Sequence, residues 1–352
     1  GTTTLTFTIT QSDIDVIDGY TVGYYTSNGI AKDPSDFTNV GGSITFNGNA
    51  NETQTIDVTV KGDERVEQNE TLTFTIASIN ATLNKDVTAS DGTGTGTITN
   101  DDSATFSIAD ASTSEGDGSE TKELTFTVSL NKEVESANPI SVDYQTADNT
   151  ATTGNSDYVS ESETISFGVN ANGVVEVQDQ TFTITVNGDD VVELDEIFTV
   201  TIDNVQSTGL SPTILSQITF LDDEANGTIE NDDSAELSIS GVTVNESAGT
   251  AVFTINMDYD TQDAFTIDSA TSDAGTAIGD ALAGSDYTAV TRTDAGANAI
   301  TIGGGTTSVD VPITILGGVI TEPTESFIGA IDNIIDAQSQ DVTFNGGGAS
   351  AQ

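Results

Sequence analysis

The chain has 352 residues, which is long enough for two or three domains that each bury a core. Its 7 Lys and Arg against 57 Asp and Glu give a net charge of −50, which argues against nucleic acid and anionic lipid as partners, because little positive charge is available to neutralise phosphate. The sequence has no Cys and no His, which excludes disulfides, thiol and Ser-His-Asp catalysis, and histidine-ligated zinc.

The first segment of the chain predicts short β-strands separated by turns. TLTFTIT (4–10) and QTIDVTV (54–60) alternate apolar with polar residues, which is the period of a half-buried strand. A Ser-Asp-aromatic motif ends at Phe37, and the acidic stretch KGDERVEQNETLTF (61–74) follows the second of these strands. The segment closes with GTGTGTITNDD (92–102), a predicted strand that ends in Asn-Asp-Asp.

The second segment repeats these features in the same order. ELTFTVSL (123–130) and QTFTITV (180–186) are the alternating strands, and a Ser-Asp-Tyr motif ends at Tyr158. NGDDVVELDEIFTV (187–200) places five carboxylates directly before an apolar strand, and NGTIENDD (226–233) closes the segment. The acidic clusters recur at matched positions, which indicates that the segments are repeats and that the carboxylates have the same function in each.

The third segment is similar but weaker. TAVFTINM (250–257) and TSVDVPITI (307–315) are predicted strands, and a second Ser-Asp-Tyr motif ends at Tyr287. The acidic stretch is reduced to GGVITEPTESF (317–327), and the chain ends in DVTFNGGGASAQ (341–352) without Asn-Asp-Asp.

The motif order predicts three units of one all-β fold. No segment combines helical periodicity with caps, and β-branched residues dominate the apolar runs, so we expect tandem antiparallel β-sandwiches. We place unit one at 1–102, unit two at 103–233 and unit three at 234–352. Unit one lacks the first strand that ATFSI supplies in unit two, and the closing strand of unit three is missing or divergent. Because no Pro- or Gly-rich spacer separates the units, we expect stiff coupling and an elongated rod.

The motifs resemble those of the Calx-β domain. The resemblance covers essentially the whole chain in three copies and lies in Ser-Asp-Tyr, then V-x-G-D-x-x-x-E-x-x-E-x-F, then G-T-x-x-N-D-D. It implies a seven-stranded antiparallel sandwich of immunoglobulin-like shape, with calcium as the cofactor at one tip near the C-terminal end of each unit.

The resemblance also implies calcium ligands in each unit. Those of unit one are Asp36, Asp63, Glu67, Glu70, Asp101 and Asp102. Those of unit two are Glu115, Asp157, Asp189, Glu193, Glu196, Asp232 and Asp233. Unit three offers a weaker set, which is Glu246, Asp286, Glu322 and Glu325. We expect weak or no binding there, because Gly318 replaces the expected Asp and the terminal Asn-Asp-Asp is absent.

A physical reason for such clusters stands apart from the resemblance. Like charges repel unless water, a cation or a partner compensates them, and Ca²⁺ takes roughly 6–8 oxygen ligands that several loops can supply. Glu193 and Glu196 cannot share one face of a strand, but both can turn to one tip from the loop before it. The Asn-Asp-Asp triplets lie at the junctions, where a cation would clamp two units. The alternative is a solvating acidic surface suited to a salty environment.

The sequence favours a non-catalytic protein. The chain has no Trp and no Gly-rich phosphate loop, and no unit carries a unique acidic pair for glycoside hydrolysis. We expect an extracellular, cell-surface structural or adhesion module that forms a calcium-stiffened stalk or filament subunit. Its expected partners are neighbouring copies or adjoining repeats of a larger surface protein, without nucleic acid or direct membrane insertion. A ligand-binding adhesin region and calcium-sensing regulatory domains remain alternatives.

The ends of the chain raise a further possibility. Both terminal units are expected to expose an unsatisfied sheet edge, so that copies could polymerise end to end by strand addition. The alternative is that these ends are the limits of a piece of a longer protein.

Overall fold

The computed structural model describes residues 1–81, 86–275, 280–291, 299–319, 322–335, 341–345 and 349–351. Residues 320–321 of the third acidic stretch, and 346–348 and 352 of the C-terminal stretch, therefore lie outside the described residues. Strands dominate the regular structure, as the alternating pattern predicts, because their apolar residues point alternately into a core.

Unit one folds into two sheets, ordered β1-β4 and β3-β2-β5-β6, in which neighbouring strands are antiparallel. Its strands are β1 (Thr2–Thr10), β2 (Tyr20–Asn28), β3 (Gly41–Phe46), β4 (Thr53–Lys61), β5 (Glu70–Ala81) and β6 (Thr93–Ile98).

Unit two has a four-stranded sheet, β14-β9-β7-β16, and a five-stranded sheet, β12-β11-β15-β17-β8, with β10 and β13 forming a small pair. Its elements are β7 (Ala104–Ala109), β8 (Ala111–Ser114), β9 (Thr121–Leu130), β10 (Val134–Glu135), β11 (Ile140–Ala147), β12 (Ser162–Phe167), β13 (Val174–Val175), β14 (Asp179–Asn187), β15 (Glu196–Gln206), α1 (Pro212–Leu215), β16 (Ile218–Asp222) and β17 (Glu224–Glu230).

Unit three has two four-stranded sheets, β22-β19-β18-β24 and β21-β20-β23-β25. Its elements are β18 (Ala235–Ser240), a 3-10 turn (Glu246–Ala248), β19 (Thr250–Met257), β20 (Phe265–Asp273), β21 (Ala299–Ile302), β22 (Ser308–Thr314), β23 (Phe327–Ile335), β24 (Val342–Phe344) and β25 (Ala349–Ala351). The backbone of β25 pairs with β23, so the closing strand is present over three residues.

The core of unit two shows why the alternating runs fold as sandwiches. Inward residues of β9 and β15, on opposite sheets, are fully buried, and Phe126 and Phe198 meet with ring centroids 6.0 Å apart. Tyr158 of the Ser-Asp-Tyr motif stacks on Phe198 at 4.3 Å. A Cβ on Gly227 would lie 2.4 Å from the Phe198 ring, so the Gly/Thr strand needs Gly where this ring packs.

Two elements of unit two were not expected. Ser211 precedes the four-residue helix α1 and its hydroxyl accepts a hydrogen bond from the Ile214 amide at 3.4 Å, with Pro212 at the first helical position. The chain then returns in β16, which pairs parallel to β7 at the edge of a sheet. Among the described residues, no helix is long and apolar enough to cross a bilayer.

Unit one differs at the place that β7 and β18 occupy in the other two units. β9 and β19 each pair with one of those strands, whereas β1, their counterpart, is hydrogen-bonded only to β4 in the described structure. A cavity of about 600 Å³ opens beside β1 between the two sheets, and its lining mixes apolar residues such as Phe7 and Ile9 with polar ones such as Gln11 and Asp86.

Each acidic loop also inserts one apolar residue into the next unit. Val66 packs in the core of unit two and Val192 in the core of unit three, and neither side chain is exposed. The Val192 amide donates to the Asp260 carbonyl at 3.0 Å, and the Val66 amide donates to the Glu133 carbonyl at 3.0 Å. The junctions are therefore packed and hydrogen-bonded through the same loops that carry the carboxylates.

Candidate metal centre

The topology of unit two gathers its acidic residues at one end of the sandwich. β17 and β8 run parallel, so Asp232 and Asp233 after β17 lie beside Glu115 after β8. β15 runs antiparallel to β17, so its first residue, Glu196, and the preceding Glu193 lie at that same end. Strand direction alone thus brings residues distant in sequence to one tip.

Six predicted ligands of unit two form two groups of three carboxylates. The first consists of Glu115, Asp232 and Asp233, and the second of Asp157, Glu193 and Glu196. Within each group, one carboxylate oxygen from every residue lies within 4.8 Å of the others. Glu193 and Glu196 can both belong to the second group, because Glu193 lies on the loop before β15 and Glu196 is the first residue of β15. The seventh predicted ligand, Asp189, belongs to neither group and accepts a hydrogen bond from the Val191 amide at 2.7 Å.

Several of these carboxylate oxygens are buried without a hydrogen-bond partner. Glu115 is 5% exposed and Glu196 is 8% exposed, and no hydrogen-bond donor among the described residues reaches Glu115 Oε1, Glu196 Oε2 or Asp233 Oδ2. A buried, unpaired carboxylate oxygen is costly in a folded protein. An all-oxygen donor set with oxygens left open suits a hard cation such as Ca²⁺, so the residues fit such an ion.

Burial and mutual repulsion perturb the titration of these groups. Burial is the largest cause that raises the pKa of Glu115 and of Glu193 to about 8, and a neighbouring carboxylate contributes to each shift, Glu193 for Glu115 and Glu196 for Glu193. Burial and the neighbouring Asp157 raise the pKa of Glu196 to about 7, and burial with Asp232 raises that of Asp233 to about 6. A bound cation would favour the charged forms and reverse these shifts.

Asn231 organises the site although the acidic motif does not single it out as a ligand. Its Oδ1 accepts from the Glu193 amide at 3.1 Å and its Nδ2 donates to the Asp233 carbonyl at 3.0 Å. Asn100 does the same in unit one, accepting from the Glu67 amide at 2.9 Å and donating to the Asp102 carbonyl at 2.9 Å. In both units this Asn is the first residue of the Asn-Asp-Asp triplet, and it connects the triplet to the acidic loop. Its recurrence at this position is the sequence feature that could have identified the role.

Comparison with known protein families gives the assignment. The Calx-beta domain family matches the chain at residues 1–112, 97–233 and 228–347. The chain belongs to the Calx-beta family. The predicted resemblance and the all-β sandwich fold are both confirmed.

The comparison with solved structures matched several Calx domains. A structure titled CBD12 from CALX1.2 is 19% identical, with 70% of this chain and 98% of that chain covered and a TM-score of 0.30. The apo-form Calx CBD1 domain is 24% identical, with 38% of this chain and 100% of that chain covered and a TM-score of 0.29. The Calx CBD2 domain is 17% identical, with 36% and 86% covered and a TM-score of 0.27. A search of curated proteins found no match.

The Calx-beta domain of unit one holds its acidic residues in a different arrangement. Glu70 is 8% exposed, and burial with the nearby Asp36 raises its pKa to about 8. Burial and Asp63 raise the pKa of Glu67 to about 7, although Arg65 lies 3.8 Å from its carboxylate.

Two basic residues lie among the carboxylates at this junction. Arg65 also binds Glu133 of unit two at 2.6 Å, and Lys132 lies 3.8 Å from Asp102. In the part of the chain that the structure describes, the predicted ligands of unit one, including Asp63 and Asp101, do not form a group of three within 4.8 Å.

The Calx-beta domain of unit three does bring three of its four weaker candidates together. Asp286, Glu322 and Glu325 form a group within 4.8 Å, beside a cavity of about 530 Å³. Glu246 lines the same cavity, and its carboxylate accepts a hydrogen bond from the Gly318 amide. Gly318 thus stands where an Asp ligand is expected, and its amide donates a hydrogen bond to the candidate ligand Glu246. Weak calcium binding in unit three stays a prediction.

Proposed function

We propose that the chain is a non-catalytic, calcium-binding tandem module. The observation that carries this proposal is the set of buried, unpartnered carboxylate oxygens on Glu115, Glu196 and Asp233 at one tip of unit two. Asp157, Glu193 and Glu196 would hold one ion, and Glu115, Asp232 and Asp233 would hold another. Carboxylates that repel one another in a buried place gain most from a divalent cation.

The position of the site at a junction supports a mechanical role. Glu193 adjoins Val192, whose side chain is buried in unit three, so an ion that fixes the acidic loop also fixes the residue that joins the units. We infer a calcium-stiffened stalk or spacer at the outside of the cell, in which the partners are adjoining repeats or neighbouring copies. Absence of Cys and a net charge of −50 suit an exported, highly hydrated protein. A calcium-sensing regulatory domain would bind calcium at the same site. It would differ from a stalk because the stiffening would regulate another protein or domain.

Calorimetric titration tests the binding. We expect calcium to bind the full chain with at least two ions assigned to unit two, and magnesium to bind far more weakly, because magnesium demands octahedral geometry and retains its water. Glu196→Gln with Asp233→Asn should remove the binding to unit two. A titration with no calcium heat at millimolar concentration, or one that the double variant leaves unchanged, would contradict the proposal.

We further propose that copies of the chain can associate by strand addition. Among the described residues, β1 pairs with β4, whereas β9 and β19 each pair with two strands, and Phe7, Ile9 and Phe74 are among the residues that line the cavity beside β1. A strand supplied by a second copy would pair with β1 and cover the apolar side chains in this cavity. Such a head-to-tail contact is open and builds filaments.

The peptide SATFSIADASTSE, residues 103–115, provides the probe for this edge, since its segment fills the same place in unit two. We expect the peptide to bind unit one and to compete with concentration-dependent association of the chain in sedimentation experiments. A scrambled peptide is the control. A chain that stays monomeric at all concentrations and ignores the peptide would exclude strand addition.

A further inference from the structure

The strand pairing at the two junctions puts one residue of the following unit over each acidic loop. Val192 bridges to Thr261 and Val66 bridges to Val134, both in parallel fashion. The Gln262 amide donates to the Val192 carbonyl at 3.0 Å, and the Glu135 amide donates to the Val66 carbonyl at 2.8 Å. Gln262 and Glu135 therefore occupy the same position, one residue after the bridge, at successive junctions.

The side chain of Gln262 reaches the carboxylates of unit two. Its Nε2 lies 3.0 Å from Glu193 Oε1 and 3.5 Å from Glu196 Oε1, which are two of the three carboxylates in the second acidic group. Glu196 Oε2, buried and without a partner, lies in the same group. Among the described residues, the Gln262 amide is the hydrogen-bond donor that unit three provides to these two carboxylates.

An amide side chain can serve these carboxylates in two states. Without a cation, the NH₂ end donates to them, as the distances show. The other end of the same planar group is a carbonyl oxygen with two lone pairs, which is a calcium ligand in many sites. A rotation of about 180° about the last side-chain bond exchanges the two ends, so the residue needs no backbone movement to change roles.

We propose, on the basis of the calcium-binding function above, that Gln262 is a ligand supplied by unit three to the cation site of unit two, and that Glu135 is supplied by unit two to unit one. The site is then complete only when the following unit is docked. Among the described residues of unit one, no three predicted ligands lie within 4.8 Å of one another, and Glu135 would add a carboxylate at this junction.

A ligand shared between units couples ion binding to docking. An ion held by Asp157, Glu193, Glu196 and Gln262 favours the docked junction, and by linkage the docked junction raises the affinity for the ion by the same factor. Val192 makes the coupling effective, because its burial in unit three fixes the loop between the ion and the junction. Calcium would therefore set the angle and stiffness between units two and three through a direct contact.

The test compares calcium titrations and small-angle scattering of the full chain for Gln262→Ala, Gln262→Glu and the control Gln206→Ala. Gln206 donates to Asp143 at 3.0 Å on the exposed surface of unit two, so its variant loses the same kind of hydrogen bond away from the junction. We expect Gln262→Ala to weaken one calcium site about tenfold or more. It should also leave the calcium-bound chain more flexible, while Gln262→Glu restores or tightens binding and Gln206→Ala changes neither quantity.

Two outcomes separate this inference from the proposed function. If the parent chain binds calcium and Gln262→Ala binds it with unchanged affinity, the shared ligand is wrong and the calcium module stands. If the parent chain binds no calcium, both are wrong. Glu135→Ala extends the test to the first junction, where loss of calcium affinity in unit one is expected, and unchanged affinity would restrict the shared ligand to the second junction.

Discussion

Glu193→Gln should abolish the calcium-dependent stabilisation that unit two gains from the ion held with Asp157 and Glu196. A ligand that binds only the folded state adds RT ln(1 + [L]/Kd), which is about 4 kcal/mol at a calcium concentration a thousandfold above Kd. Glu193 contributes to the group with Asp157 and Glu196, and the neutral amide keeps its size while removing its charge. Without calcium the variant should be as stable as the parent or more stable, because one of several repelling carboxylates is gone.

The prediction is specific because the substitution should lower the stability in calcium and leave it unchanged or raise it without calcium. Thermal or urea unfolding with calcium, with magnesium and with a chelator, at constant ionic strength, measures both. Glu163→Gln is the matched control, since Glu163 is exposed on β12 and belongs to none of the carboxylate groups. Equal stability of the parent chain in all three buffers would identify the carboxylates as a solvating surface. Stabilisation that follows potassium chloride concentration instead of calcium would point to the salty-environment alternative.

Much of the fold could be predicted because its signals are local. Alternation in ELTFTVSL and QTFTITV appears directly as β9 and β14, whose antiparallel register pairs Phe126 with Phe182. The gathering of Glu115, Glu193 and Asp233 was predictable from recurring motifs, because a ligand set leaves carboxylates at fixed places in every unit. β16 and α1 escaped notice because each is four or five residues long, shorter than the window in which periodicity can be judged.

The junctions could not be predicted, because their determinants lie in two units at once. A single Val inside a run of carboxylates carries no periodicity, yet Val192 finds its core in residues that begin at Ala235. The same holds for Gln262, which has no acidic motif around it and matters only because the Thr261 bridge places it over Glu193. Motifs reveal the ligands within a unit, whereas contacts between units depend on how two complete sandwiches dock.

Stability should fall with rising pH in calcium-free buffer and become nearly independent of pH when calcium is saturating. Burial raises the pKa of Glu115 and Glu193 to about 8 and that of Glu196 to about 7, from an ordinary value of 4.5. In calcium-free buffer the folded chain holds protons that the unfolded chain has released, so its stability is highest near pH 5 and falls as pH rises towards 8. Calcium requires the charged carboxylates, so its affinity rises over the same range.

The pH dependence of calcium affinity follows from the number of protons that calcium displaces from the carboxyl groups. Each carboxyl that must lose a proton weakens calcium binding about tenfold for each pH unit below its pKa. With Glu193 and Glu196 both titrating above pH 6, affinity should increase on the order of a hundredfold or more between pH 6 and pH 8. Unfolding experiments at several pH values should therefore give a stability curve that falls towards pH 8 in calcium-free buffer and a nearly flat curve in saturating calcium. Glu193→Gln should make the calcium-free curve less steep. Parallel curves for the parent chain would mean that proton and cation do not compete for these carboxylates, and that their burial serves the sandwich alone.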